Sequence, residues 1–262
     1  MRVEILSEHP DDMLTEAERE RRRPADEAAA RVEELREERR RARASGRWLE
    51  WARLAFAVPG AKREATRQHL TSALPTGREE KIRAGRGGER RVARELGEAL
   101  DDEWILFRGY RNARGEIDGV LVGPRGVFAI EEKYRSVRVF IHGDSWTAER
   151  IDKYGKPHGG RFQFRDRGGR SPSRQVREPA DALSGWLGRN KRGTRVKPVV
   201  LLSHPNARIG TLDQPAVRVE RSVGRLLALI ESSGDSLDAG QRADVERLIR
   251  RDHAFHEAKR KG

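Results

Sequence analysis

GEIDGVLVGPRGVFAIEEK, residues 115–133, is the stretch whose reading decides the fold. Two apolar runs flank Gly123-Pro124-Arg125-Gly126, with proline where a type I or II turn favours it. The pattern predicts a β-hairpin. If the hairpin is symmetric about its turn, Asp118 faces Glu131, Glu116 faces Lys133, Val120 faces Ala129 and Val122 faces Val127. Strand side chains alternate, so all of these are expected on one side of the sheet. Carboxylates and an ammonium group then end an otherwise apolar strip. Buried charge is costly unless it is paired or ligates a metal.

Two readings follow. Neighbouring carboxylates repel, and a hard divalent cation relieves that repulsion through oxygen ligands. Such a site suits phosphodiester hydrolysis, with Lys133 orienting or helping to deprotonate a water, or neutralising transition-state charge. The same residues also fit a structural hairpin laced by cross-strand ion pairs. The almost wholly apolar strands speak against a solvated face.

Working outward, residues 104–110, 137–141 and 145–148 are strand-like, and 197–203 (KPVVLLS) reads as a buried strand, with a further strand at 216–220. Helices are expected at 79–100, 173–189, 222–233 and 239–250, and a polar, Gly- and Arg-rich loop at 150–171. Upstream, residues 13–45 predict one charged helix with a thin apolar stripe. Residues 47–58 predict a short helix with Trp48, Trp51, Leu54, Ala55 and Val58 on one face, ended by Pro59-Gly60, and another short helix covers 61–74. Leu74-Pro75-Thr76-Gly77 reads as a linker. The domain organisation is therefore expected as a charged helical extension, 1–77, and a main domain, 78–262. The extension is either a solvated arm or a pairing helix through which the chain oligomerises.

The formal net charge is +13, unevenly spread. Residues 1–50 hold 12 Arg against 14 Asp and Glu, while 151–200 hold 13 Lys and Arg against 4 acids. Of the 55 basic residues 46 are Arg, whose planar fork suits phosphate oxygens, although coding bias gives the same enrichment. Density of this kind points to a polyanionic partner. The absence of cysteine excludes disulfides, thiolate zinc sites and cysteine nucleophiles. MRVEILSEHPDDM has no apolar core of signal-peptide type, and no run of about 18 apolar residues occurs. The expectation is a cytoplasmic chain with no membrane partner.

Asp118, then twelve intervening residues, then Glu131-x-Lys133, resembles the D…(D/E)xK core of the PD-(D/E)XK nucleases. A longer series of stretches is similar to the nuclease-related domain (NERD) family of that superfamily. In order these are Gly88-Glu89 on a helix that ends at Leu100, Glu116-Ile117-Asp118, GPRGVFAI, Glu131-x-Lys133, Gly143 and Trp146, Pro172-x-x-Gln175, and VVLLS. The likeness covers about residues 84–205.

That resemblance implies an α/β fold with a restriction-endonuclease-like mixed sheet flanked by helices. It implies a Mg2+-dependent nuclease, with Mn2+ as substitute, that cleaves DNA, whether double- or single-stranded, or RNA. Asp118 and Glu131 would ligate the cation. Glu89 would join them or hold a ligand in place. Lys133 would be the catalytic lysine, Gln175 would contact the scissile phosphate or the water, and Glu116 would support from behind. Glu132 departs from the pattern, standing where the family has an apolar residue.

For nucleic-acid contacts the candidates are Arg161, Arg165, Arg167, Arg170 and Arg174 in the basic stretch. Tyr154, His158, Phe162 and Phe164 are interleaved with cations there, a pattern that fits either base stacking or aromatics tucked onto the core. Gly85-x-Gly87-Gly88 reads as helix-start chemistry rather than a phosphate loop. The seven histidines show no ligand spacing, and His253 and His256 are expected to be exposed. Two readings compete with an active nuclease: a nucleic-acid-binding module with a spent site, and a helical scaffold or interaction protein.

Overall fold

Six strands form the larger of two sheets, in the order β1-β2-β3-β4-β8-β10, and four form the smaller, β7-β6-β5-β9. The computed structural model describes residues 1–7 and 9–261. The elements run β1 (Arg2–Ile5), α1 (His9–Ala44), α2 (Trp48–Ser72), α3 (Gly77–Ala99), β2 (Ile105–Asn112), β3 (Gly115–Gly123), β4 (Gly126–Glu132), β5 (Val137–His142), β6 (Ser145–Ile151), β7 (Pro157–Gln163), α4 (Pro172–Arg189), β8 (Val196–Leu201), β9 (Arg208–Asp213), β10 (Arg218–Glu220), α5 (Val223–Glu231) and α6 (Ala239–Lys261). The fold is mixed α/β, with a helical N-terminal region before most of the sheet. Two compact units result: Met1–His9 with Ala84–Gly262, and Pro10–Arg83.

In the first unit, β4 is buried on both faces because its side chains alternate between two cores. Val127 and Ala129 point into one core with Val176, Leu183 and Leu187 of α4, Val245 and Ile249 of α6, and Trp146 of the smaller sheet. Phe128 and Ile130 point into the other with Val92 and Leu96 of α3 and Leu226 and Ile230 of α5. Each of these large apolar side chains contributes about 1.5–3 kcal/mol by leaving water. β1 lies parallel to β2 at the sheet edge, so the first residues do not belong to a purely helical extension. β7 forms within the stretch expected as loop, and β9 adds parallel to β5.

α6 runs well beyond residue 250, and its far end is anchored. The Tyr110 hydroxyl donates to Asp252, and His253 Nδ1 accepts from the Arg111 N–H at 3.1 Å. His253 Nε2 lies 3.1 Å from the Leu6 carbonyl, which fixes the neutral ring with its proton on Nε2. His253 is 6% exposed, so its expected exposure is corrected. Burial in turn holds its pKa below the usual histidine value.

In the second unit, α2 passes through Pro59 without stopping. Leu54 and Val58 on one side of the proline pack with Leu35 and Ala42 of α1, flanked by Trp51 and Ala61. Tertiary contact on both sides of the missing N–H bond keeps the two expected short helices as one. Leu74-Pro75-Thr76 breaks the chain between α2 and α3. α3 then continues through Gly85, Gly87 and Gly88, which are helix interior and not a helix start.

Candidate active site

β3 and β4 keep the expected register, with Gly119 opposite Ile130, Val120 opposite Ala129 and Val122 opposite Val127. The ladder ends at Gly119 and Ile130, one step short of Asp118 and Glu131. The neighbouring strand β2 kinks at the same level. Gly109 has φ +68°, and a Cβ there would lie 2.5 Å from the Ser7 carbonyl oxygen, so only glycine fits. Across this kink side-chain alternation slips: Tyr110 joins the same core as Phe107, and Ile117 the same core as Val120. Asp118 is thereby out of phase with its strand. Its Oδ2 accepts from the Glu132 N–H at 2.7 Å and bridges the fork between β3 and β4.

The expected common face is corrected by this slip. Glu116 pairs with Arg111, its partner across β2–β3, and not with Lys133. Glu131, 5% exposed, accepts from Lys133 Nζ. Lys133 Nζ also donates to Gln175 Oε1 at 2.9 Å, and Gln175 Nε2 donates to the Arg170 carbonyl at 2.9 Å. Gln175 sits in the first turn of α4, which is capped by Ser171 accepting from the Arg174 N–H. Both ends of the Gln175 amide are therefore used in placing Lys133.

Glu89, Arg108, Asp118 and Glu132 line a separate cleft beside α3. Glu89 accepts from Arg108 at 2.6 Å, and Glu132 accepts from the Ser203 hydroxyl. Gly88 lets α3 approach, since a Cβ there would lie 2.6 Å from Glu132 Oε1 and 2.8 Å from Tyr134 Cβ. Glu132 was singled out in the sequence only as a departure, and Arg108 and Ser203 not at all. The signal that could have found them is the glycine beside Glu89.

The charges of this cluster act on one another. Burial, and next the charge of Asp118, push the Glu89 and Glu131 carboxyls up to about 7. Burial raises Glu132 to about 8 against the Ser203 hydrogen bond, with Asp118 and Glu89 adding to the rise. Burial works against the Lys133 ammonium, but Glu131 and Asp118 outweigh it and hold its pKa above the ordinary lysine value.

The carboxylate donors are oxygens, the kind a hard divalent cation takes, and their pKa values are raised first by burial and then by the charge of Asp118, which such a cation would offset. The chemistry of the donor set fits Mg2+ or Mn2+. Among the described residues no group of three or more His, Asp or Glu side chains is arranged to close around an ion. Glu89 is turned to Arg108 and Glu131 to Lys133. Asp118 accepts from the Glu132 N–H at the fork, and its charge acts on Glu131.

The candidate arginines divide. Arg161 pairs with Glu149, Arg170 with Asp166 and Arg174 with Glu178. Arg165 and Arg167 are exposed, with no acidic partner among the described residues. Phe164 is buried and Phe162 half-buried against the core, whereas Tyr154 is exposed. His9 lies among the side chains outside this description.

The family model of the nuclease-related domain matches residues 84–203. Residues 84–203, under half of the chain, are thus similar to that domain. The PD-(D/E)XK superfamily is its general context, and a nuclease-like function goes with it. The matched stretch runs from Ala84 in α3 to two residues past β8, taking in the fork, the Lys133–Gln175 contact and Ser203. No curated protein and no solved structure matches the chain. No described helix is long and apolar enough to cross a membrane.

Proposed function

We propose that the nuclease-related domain hydrolyses phosphodiester bonds of DNA with a divalent cation, Mg2+ or Mn2+, held by Asp118 and Glu131. The observation that carries this reading is the gathering of carboxylates of raised pKa around Asp118, next to an ammonium clamped by Glu131 and Gln175. When bound, the cation supplies Lewis acidity at the phosphate. Lys133 stays protonated at neutral pH because its pKa is raised. It therefore donates hydrogen bonds, orienting the attacking water and neutralising charge that develops on the phosphate oxygens, and does not serve as the base. Gln175 acts through Lys133 as a positioning residue. Glu89 holds Arg108 at the rim of the same cluster.

One observation favours a second reading. Glu89 and Glu131 are both engaged by internal cations, as they would be in a module that binds nucleic acid without cleaving it. Supercoiled plasmid, a labelled single strand and an RNA, each incubated with Mg2+ or Mn2+ and with chelator, separate the two. Metal-dependent cleavage of DNA that stops on chelation supports the nuclease. Salt-sensitive binding without turnover under any metal supports the binding module. Neither binding nor cleavage leaves the helical interaction protein.

A further inference from the structure

Arg135 follows β4 and Arg165 follows β7, yet both reach one small cavity beside the catalytic cluster. Its other lining residues are Lys133, Phe164, Asp166, Pro172 and Gln175. We propose that Arg135 and Arg165 form a phosphate subsite that grips the backbone phosphate adjacent to the scissile one. The inference rests on the nuclease reading above for the identity of the scissile phosphate.

Four features of the cavity support it. Both guanidiniums are exposed, and no carboxylate lies within ion-pair distance of either among the described residues. Four arginines of the same region are neutralised: Arg161 by Glu149, Arg170 by Asp166, Arg174 by Glu178 and Arg177 by Asp144. The cavity's own acid, Asp166, is consumed by Arg170, which donates to it from both its backbone N–H (2.8 Å) and its Nε (3.0 Å). Two uncompensated cations therefore face one opening.

Arg135 is also preorganised. Its guanidinium lies 5.6 Å from the centroid of the buried Phe164 ring, which holds the plane in place while its N–H groups remain available. The cavity measures about 90 Å³. That is far below the roughly 300–1,000 Å³ of pockets for drug-sized ligands, a size that suits a small tetrahedral anion. Pro172, in the lining, begins the 18-residue α4, whose positive dipole end adds to the field. Lys133 lines the same cavity and touches Glu131, so an anion seated there lies one short step from the fork. Recognition of this kind reads the backbone and not the bases, so the subsite confers no sequence preference.

The test uses the full chain and a set of short DNA strands, each carrying one uncharged methylphosphonate at a different position. In wild type, neutralising the phosphate on one side of the cleavage point lowers kcat/KM roughly tenfold, the worth of a charge-assisted contact. In the Arg135→Ala/Arg165→Ala variant the same change has no further effect. The slope of log affinity against log salt, measured in chelator, falls by about one for each arginine lost. Arg135→Lys/Arg165→Lys, which keeps the charge, restores most of the slope. The salt slope needs no cleavage, so an inactive wild type would sink the nuclease reading while the slope still judged the arginines. A double alanine variant that keeps both the wild-type slope and the wild-type sensitivity to every methylphosphonate overturns the subsite.

Discussion

Asp118 couples groups on both sides of the sheet, because the kink at Gly109 puts it at the fork and not on a face. Its charge helps raise Glu89 and Glu131 to about 7 and Glu132 to about 8. An ordinary glutamate titrates near ~4.3, so the fold prefers these three protonated. Such groups contribute their full stabilisation below about pH 4, and lose it as pH rises through the folded values near 7 and 8. In chelator, the thermal midpoint should therefore fall progressively between about pH 4 and about pH 8. Glu132→Gln removes one of the three titrations, so its midpoint should fall less steeply. A divalent cation should restore stability most at the alkaline end, where protons no longer compete for the carboxylates. Scanning calorimetry across that range checks this, and a midpoint that is flat with pH in chelator contradicts it. Lys133→Met, which keeps side-chain length, should destabilise the protein by about 3 kcal/mol at neutral pH by leaving the buried Glu131 carboxylate without its cation. Chemical denaturation at pH 7.5 and at pH 5.5 reads the effect, which should shrink at the lower pH as Glu131 takes up a proton.

Among the elements, the β3–β4 hairpin was legible because its apolar alternation and proline turn allowed one register only. The fork at its open end was not, since the kink comes from Gly109 in β2 packing on Ser7, a contact remote in sequence. Asp118, Glu131 and Lys133 could be named from the hairpin, but the shift of Asp118 off their face to the fork could not. β1 and β9 were missed for a related reason: RVEI is short and RIGTLD nearly lacks apolar residues, so pairing with a neighbouring edge makes them strands. α2 was read as two helices because Pro59 outweighed, in the sequence, packing that only the folded unit supplies. α3 offers the sharpest test at this scale. Gly88→Ala should cost about 1–3 kcal/mol, because helix and strand must separate to admit the methyl group between Glu132 and Tyr134. Urea denaturation measures it, and a neutral result would show that α3 does not approach β4 this closely. Tyr110→Phe should cost about 1–3 kcal/mol by depriving the buried Asp252 of its donor. That loss should also speed amide exchange at the end of α6, whereas unchanged exchange would show that the contact does not anchor the helix.

For the whole molecule, the division into Met1–His9 with Ala84–Gly262 and Pro10–Arg83 has a practical consequence. A truncation beginning at residue 78 would strip β1 from the sheet and expose the edge of β2. Joining residue 9 to residue 84 through a short Gly/Ser linker keeps that strand. The linked form should unfold cooperatively, and the simple truncation should be less stable or should aggregate. Equal stability of the two would show that β1 contributes little. The central claim concerns the fork itself, and single-turnover cleavage of a labelled DNA with Mg2+ or Mn2+ addresses it most directly, comparing wild type with Asp118→Asn, Glu131→Gln and Lys133→Met. The account predicts cleavage by wild type alone at appreciable rate. Raising the metal concentration should partly rescue the two carboxylate variants and leave Lys133→Met slow, and DNA binding should survive in all four. Cleavage by Asp118→Asn at the wild-type rate would contradict it.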